Sequence, residues 1–292
     1  MAGLWEEIRK AARCDKTVLV VGETGVGKDL VARKIHELGP RAGMPFVAVN
    51  CSALPETLFE SELFGHDRGA FTGAVSEKQG LFEAAGKGTM FMDEIGELTL
   101  PLQAKILRLL DKKEARRVGG TAIRRVESRF IFATNRDLVR AVREGSFRQD
   151  LYFRINVLRI EVPALRERKE DIPALVEFFL KRENARSGIS RKISEEALVR
   201  IMRHDFPGNV RELENVLERA YISSDADFIQ ASEIRFDREE PRAKGSISSG
   251  QLMAVLDRCR WNKSLAARQL GKSRRQLYRI LEKHGLRAGR LP

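Results

Sequence analysis

Short apolar runs alternate with segments of helical periodicity over the first 160 or so residues of the chain. Thr17–Val21, Phe46–Val49, Thr89–Met92 and Phe130–Ala133 are apolar at nearly every position, the pattern of strands buried on both faces, and Leu158–Val162 is a further strand. Between them, Leu4–Arg13 and Lys28–Leu38 carry apolar residues at helical spacing. Pro101–Asp111 is a third such segment, opening on a proline, whose missing N–H does no harm in a first helical turn. Strands alternating with helices predict a parallel sheet covered on both faces. After Pro163 the strand signals stop. Ile172–Ser187, Glu195–Met202 and Val210–Tyr221 are amphipathic helical segments, so a small all-helical lid is expected to follow the sheet. Residues 237–250 have linker composition, and three short helices are expected within 249–285.

Composition narrows the class. The chain has 292 residues, 42% of them apolar, enough for two or three folded units. No apolar run approaches the roughly 20 residues that span a bilayer, and the N-terminus lacks a signal-peptide layout. Cys14, Cys51 and Cys259 are far apart, which excludes a CxxC metal cluster and fits a reducing cytoplasm. His36, His66, His204 and His284 are scattered and give no zinc site. The net charge of +12 is concentrated: Arg242–Pro292 holds 13 Lys/Arg against two acids, leaving 40 basic and 39 acidic residues elsewhere. A basic terminal module with helical periodicity on a neutral body is the footprint of a nucleic-acid binder.

Gly22-Glu23-Thr24-Gly25-Val26-Gly27-Lys28 satisfies GxxxxGK between a strand and a helix. Its glycines let backbone N–H groups curl around phosphate oxygens, the next helix directs its positive end at them, and Lys28 neutralises the terminal phosphates. Asp29 stands where the general motif has a hydroxyl for Mg²⁺. Asp93-Glu94 closes an apolar strand; Asp93 can hold the Mg²⁺ shell and Glu94 can polarise the attacking water. The same pair could instead cap a helix. Thr134-Asn135 ends the next strand, where Asn135 can sense a γ-phosphate or serve as a turn residue. Arg148 and Arg154 lie six apart, suited either to an arginine finger, worth about 10³–10⁵ in rate, or to a solvated surface.

Between these motifs lies Gly69-Ala70-Phe71-Thr72-Gly73-Ala74, one aromatic and one hydroxyl among residues with almost no side chain. Two readings are open: a tight turn whose Phe tucks into the core, or a projecting loop with an apolar tip. Its place inside a nucleotide-hydrolysis machine favours the loop, as a grip on another protein.

The combination of Gly22–Lys28 followed by Asp29, Gly69–Ala74, Gly88–Glu94, Phe147–Arg154, Leu165–Arg168 and Phe206–Leu213 resembles the AAA+ domain of bacterial enhancer-binding proteins, the ATPases that activate sigma-54 RNA polymerase. The resemblance runs from about residue 4 to 230, and the basic tail is similar to the Fis-type helix-turn-helix usual in that family. It implies an α/β AAA+ P-loop fold over 1–163, a helical lid over 164–236, a linker over 237–248 and an all-α DNA-binding domain over 249–292. It implies ATP and Mg²⁺ as cofactors. Asn50 matches a residue thought to restrain the catalytic Glu, here Glu94. Arg148 and Arg154 match fingers that reach into a neighbouring subunit's site, which implies a ring, a hexamer. Arg211 matches a second nucleotide sensor on the lid. Phe71 and Thr72 match the loop tip that contacts sigma-54, and residues 115–126, a Gly119-Gly120 hairpin, match a second pore-side loop. The family's sheet domain starts earlier, with a segment that helps form the adenine pocket, so phosphate binding is the firmer expectation. No receiver or GAF domain precedes the sheet, leaving control to a removed segment or a separate partner.

In the tail, Leu252, Val255 and Leu256 form one apolar stripe; Leu265, Ala266 and Leu270 a second; Leu277, Ile280 and Leu281 a third. Gly271 supplies the turn and Ser273 a helix N-cap. With Ser273–His284 as recognition helix, Ser273, Arg274, Arg275 and Gln276 meet base edges of double-stranded DNA, while Arg279 and Lys283 meet phosphates. As the family does, such modules would pair on a near-palindrome with half-sites ~34 Å apart.

The expected function is an ATP-hydrolysing, DNA-bound activator that remodels closed complexes of sigma-54 holoenzyme. The alternative is a DNA-binding repressor that uses the nucleotide site as a switch with little turnover. Neutralising Arg279 or Lys283 should weaken DNA binding across all sequences and lower the salt slope by about one unit per lost contact. A titration of binding against salt concentration checks this, and a sequence-selective loss would make that side chain a base reader.

Overall fold

The computed structural model describes residues 2–53, 55–236 and, in the tail, 255, 259, 262, 263, 266, 277 and 281. Two compact units divide between Arg235 and Phe236. The first unit opens with α1 (Ala2–Ala12), β1 (Val18–Val21), α2 (Lys28–Glu37) and β2 (Phe46–Asn50). Helix α3 (Glu56–Phe64) leads into a hairpin of β3 (Gly65–His66) and β4 (Lys78–Gln79), then α4 (Leu81–Ala85) and β5 (Thr89–Asp93). Helix α5 (Leu100–Lys112) precedes a second hairpin, β6 (Glu114–Ala115) with β7 (Arg124–Arg125), and then β8 (Arg129–Thr134). Helices α6 (Leu138–Arg143) and α7 (Gln149–Ile155) lead to β9 (Leu158–Glu161).

Five strands form one parallel sheet in the order β2-β5-β8-β1-β9. The alternation along each strand explains why both faces are covered. Leu19, Met90, Met92, Phe130 and Phe132 enter one buried cluster with α3, α5 and α7. Val18, Val20, Phe91, Ile131 and Ala133 enter the other, against α1 and α2. β8, in the middle, is buried at all six positions.

The lid follows with α8 (Ile172–Ser187), α9 (Glu195–Arg203) and α10 (Asn209–Ser223). It is not wholly helical, as the sequence suggested: β10 (Lys192–Ile193) and β11 (Phe228–Ile229) pair in parallel. Two residues per strand are too few to leave a periodicity of 2. Ser194 caps α9 by accepting a hydrogen bond from the Ala197 N–H (3.2 Å).

In the second unit, Val255, Lys263, Ala266, Leu277 and Leu281 are helical, and Cys259, Ala266, Leu277 and Leu281 are buried. Three of these, Ala266, Leu277 and Leu281, belong to the apolar stripes read from the sequence. The proposed DNA contacts Ser273, Arg274, Arg275, Gln276, Arg279 and Lys283 lie outside the described residues, as do the linker residues 237–248.

Phe132 is fully buried and stacks on Phe130 with ring centroids 6.0 Å apart. Phe132→Ala is expected to cost about 3–5 kcal/mol by urea unfolding, whereas Phe178→Ser on the exposed face of α8 should stay within about 0.5 kcal/mol.

Candidate functional site

Three strands that are neighbours in the sheet deliver the candidate chemistry at their carboxyl ends. β1 ends on the glycine-rich loop, β8 on Thr134-Asn135, and β5 on Asp93-Glu94. The loop is tied to β8 at its first residue, where the Gly22 N–H donates to the Thr134 carbonyl (3.3 Å). Gly25 and Gly27 have φ of +79° and +95°, the left-handed conformations that turn successive N–H groups toward an anion. No side chain caps α2, so its first N–H groups are available to a phosphate.

Lys28 opens α2 and is only 6% exposed. Its Nζ donates to the carbonyls of Gly22 (3.0 Å) and Glu23 (3.2 Å) and stands 3.7 Å from Glu94 Oε1. A buried ammonium needs such partners, and these place it at the mouth of the loop. Glu94 occupies the left-handed region (φ 53°), uncommon for a residue with a side chain. The turn brings Glu94 Oε2 within reach of the Asn135 N–H, which donates to it at 3.2 Å. The Asn135 side-chain amide donates to Thr24 Oγ1 (2.8 Å), so loop, acidic pair and Asn135 form one hydrogen-bonded group.

Asp93 accepts from the Glu94 N–H (2.9 Å). Burial, and after it the Glu94 carboxylate, push its carboxyl above the ordinary range, with Asp29 adding in the same direction and Lys28 opposing. Cys51, whose N–H donates to the Asp93 carbonyl (2.9 Å), has its thiol pushed up by burial and by the carboxylates of Asp93 and Glu94. Among the described residues no group of three or more His, Cys, Asp or Glu could hold a metal by itself. Mg²⁺ commonly binds through one or two carboxylates plus substrate phosphates, and Asp93 beside the phosphate loop fits that donor set.

Asn50 is the strand neighbour of Asp93, but its Oδ1 accepts from both the Ser52 N–H and Ser52 Oγ at 2.8 Å. With Asn50 engaged by Ser52, and Glu94 by Lys28 and Asn135, the expected restraint of Glu94 by Asn50 is not formed in this structure. Arg148 and Arg154 bracket α7 away from the loop's own hydrogen bonds. Arg148 pairs with Asp150 (2.7 Å); Arg154 pairs with Asp111 (3.1 Å) and donates to the Leu110 carbonyl (3.0 Å).

The lid meets the loop directly. Besides Arg211, whose N–H donates to the Gly25 carbonyl (3.4 Å), the side chains of three residues absent from the sequence assignment touch it: Arg166, Arg168 and Asn209. Arg166 grips Glu23 through both carboxylate oxygens (2.8 and 2.5 Å), and this pairing together with the Asn209 amide holds the Glu23 carboxyl down at about 2. The motifs Leu165–Arg168 and Phe206–Leu213 contained all three residues, and the Pro-Gly-Asn turn was the available signal for Asn209.

The hexapeptide 69–74 closes on itself, with the Gly69 N–H donating to the Ala74 carbonyl (2.9 Å). Phe71 and Thr72 are exposed; Phe71, at 42%, leans edge-on against the His66 ring, centroids 5.1 Å apart. The tip therefore projects, with one side supported. The second hairpin buttresses its base: Val118 N–H donates to the Gly65 carbonyl (2.9 Å) and Asp67 N–H to the Val118 carbonyl (3.1 Å). Arg117 adds charge pairs to Asp67, Glu77 and Glu83.

Comparison with known proteins agrees with this arrangement. Family models match the chain in three consecutive segments: the sigma-54 interaction domain over residues 1–161, the AAA+ ATPase lid domain over 166–251, and the bacterial regulatory protein, Fis family, over 247–284. The chain is 46% identical over 295 residues to the Nif-specific regulatory protein of Azotobacter vinelandii, covering 96% of this chain and 56% of that protein. It is 44% identical over 303 residues to the response regulator PilR of Pseudomonas aeruginosa, covering 98% of this chain and 68% of PilR. The chain thus spans little more than half the length of that Nif-specific regulatory protein. A crystal structure of NtrX from Brucella abortus superimposes with a TM-score of 0.76 at 35% identity, covering 98% of this chain and 67% of NtrX. A second NtrX structure, in complex with ATP, gives 0.74 at 34% identity, covering 98% and 67%. The chain belongs to the sigma-54 interaction-domain family of AAA+ proteins, with a Fis-family module at its C-terminal end.

Proposed function

We propose that this protein is an ATP-hydrolysing, sequence-specific DNA-binding activator that remodels closed complexes of sigma-54 RNA polymerase. The observation that carries the reading is the convergence of Lys28, Glu94 and Asn135 on one hydrogen-bonded site while Phe71 and Thr72 stand exposed on a separate hairpin of the same folded unit. A nucleotide switch without turnover needs neither the Glu94 geometry nor an exposed aromatic tip.

In this reading the loop N–H groups and Lys28 bind and orient the phosphates of ATP. Glu94, held by Asn135 and Lys28, orients the attacking water and takes up its proton. Asn135, bonded to Thr24, reports the terminal phosphate to the loop. Asp93 would hold Mg²⁺, which when bound supplies charge neutralisation across the phosphates. Arg148 and Arg154, each paired with a carboxylate on its own protomer, act on the neighbouring subunit's site in a homo-oligomeric ring, which we take to be a hexamer. Arg211 completes the site from the lid. Phe71 and Thr72 engage sigma-54, and the tail, through Arg274, Arg275 and Gln276, holds the protein at its DNA site. Among the described residues no helix is long and apolar enough to cross a membrane, and we place the protein in the cytoplasm with the polymerase.

Glu94→Gln should bind nucleotide yet lose at least about 100-fold in turnover; retained hydrolysis would remove Glu94 from this role. Thr72→Ala should leave ATP turnover largely unchanged and abolish open-complex formation with sigma-54 holoenzyme in vitro. The decisive comparison is wild-type protein with ATP against a non-hydrolysable analogue. Open complexes that form equally well with both would end the reading.

A further inference from the structure

Every residue of the phosphate loop from Glu23 to Val26 is held by the lid. Arg166 takes both oxygens of Glu23. The Asn209 amide donates to Glu23 Oε2 and to the Thr24 carbonyl, each at 3.0 Å. The Val210 and Arg211 N–H groups donate to the Gly25 carbonyl (3.0 and 3.4 Å), and the Arg168 guanidinium to the Val26 carbonyl (2.9 Å). The carbonyls of Thr24, Gly25 and Val26 are thus spent on the lid and those of Gly22 and Glu23 on Lys28, which leaves the loop's N–H groups for phosphate. The fit is close: a Cβ on Gly25 would lie 2.4 Å from the Gly208 carbonyl oxygen.

Asn209 is the centre of this contact. It is fully buried, and both ends of its amide are used, the Oδ1 accepting from the Leu165 N–H (2.8 Å). One side chain therefore joins the loop, the segment leaving the sheet domain, and the first turn of α10, which carries Arg211 two residues on. Its φ of 55° is tolerated better by Asn than by most residues, and such a conformation persists where its surroundings over-determine it. Glu23 has the opposite chemistry from a phosphate ligand. A carboxylate repels polyphosphate, and this one is claimed by Arg166 and Asn209.

We propose that Asn209 is a positioning residue for ATP turnover, which with Glu23 and Arg166 couples the phosphate loop to the lid so that loop and Arg211 move as one body. Displacement of the loop by its phosphates is then passed to the lid without intermediate contacts. This rests on the reading that ATP is hydrolysed at the loop. A lid contact of purely structural value would add stability but would leave the ATP dependence of turnover unaltered.

Asn209→Asp replaces a donor with a carboxylate facing Glu23. It should raise the KM for ATP at least about tenfold, because the hydrogen bonds to the Glu23 carboxylate and to the Thr24 carbonyl are both lost, while kcat at saturating ATP changes much less. Glu23→Gln in the same protein should recover most of the loss, because the side-chain amide it introduces can donate to the new carboxylate. Hydrogen exchange supplies a readout that needs no turnover: amides 210 and 211 should exchange faster in Asn209→Asp and return toward wild type in the double variant, with α8 unchanged throughout. Wild-type protein that binds ATP without hydrolysing it would sink the functional reading while leaving the exchange result to judge the coupling. Wild-type-like KM and exchange in Asn209→Asp, or a double variant no better than the single, would overturn the coupling. Should Asn209→Asp exchange globally, Arg166→Met, at a half-exposed partner, should move KM and exchange in the same direction by a smaller factor; no movement in either counts against the coupling.

Discussion

The parallel register of β5, β8 and β1 is the constraint on which the site depends. Phe91, Ile131 and Val18 are register partners facing one core, and Met92, Phe132 and Leu19 are partners facing the other. Sliding any of these strands by one residue would turn its whole apolar set to the wrong face. Hydrophobic burial therefore fixes where each strand ends, and the strand ends fix Gly22, Asn135 and the Asp93-Glu94 pair relative to one another. The site's geometry is a consequence of packing several residues below it, in keeping with the collection of ligands at strand carboxyl ends in open α/β sheets.

The same logic carries the site toward the exposed hairpin. Glu94 is followed at once by a 3-10 turn, Ile95–Glu97, and then by α5, whose 13 residues extend about 20 Å. Its far end leads straight into the second hairpin, where Arg117 and Val118 hold the base of the Phe71 loop. The Arg154 guanidinium is bound at that same end, on Asp111 and the Leu110 carbonyl. One half-buried helix thus has the acidic pair just before its start and both the second hairpin and Arg154 at its finish. Leu102, Ile106, Leu109 and Leu110 anchor its apolar side in the core, so it shifts as a rod or not at all.

Much of this could be read before the fold was known, because the informative elements are those with the longest periodic signal. The five sheet strands and α1, α2, α5, α8, α9 and α10 lie within a residue or two of where apolar spacing puts them. Helices α3, α4, α6 and α7 escaped it. α7 has seven residues and buries only Leu151 and Ile155, a pair too short to establish a period, while Phe153 stands exposed between them. The lid ribbon of β10 and β11 is shorter still. Asn209 was invisible for a different reason: a polar residue with a buried amide has no hydrophobic signature, and its importance comes from contacts 186 residues away in the chain. The motif carried the loop and the acidic pair; the roles of Arg148 and Arg154 came from resemblance alone, since two arginines at that spacing are ordinary surface.

Charge supports the proposal that such a site is completed by a neighbouring copy. Asp93 and Glu94 face the Lys28 ammonium, Asp29 adds negative charge near Asp93, and burial together with this repulsion already pushes Asp93 up. Adding a polyphosphate to this group increases the negative charge unless cations arrive with it. Arg166 and Arg168 do not meet that need: Arg166 is spent on Glu23, and Arg168 on the Val26 carbonyl behind the loop. Arg136 is drawn off as well, to the Gly96 carbonyl and Glu97. In the proposed reading a divalent cation on Asp93, Arg211 from the lid and arginines from a neighbouring copy supply the positive charge. Arg148 and Arg154 suit that purpose in the proposed ring, because each is half-exposed and held by a surface carboxylate, a weak pairing that a phosphate can displace. Under the proposed reading, assembly and catalysis are linked through charge: the protomer supplies the acidic groups, and a neighbouring copy the positive charge that offsets them.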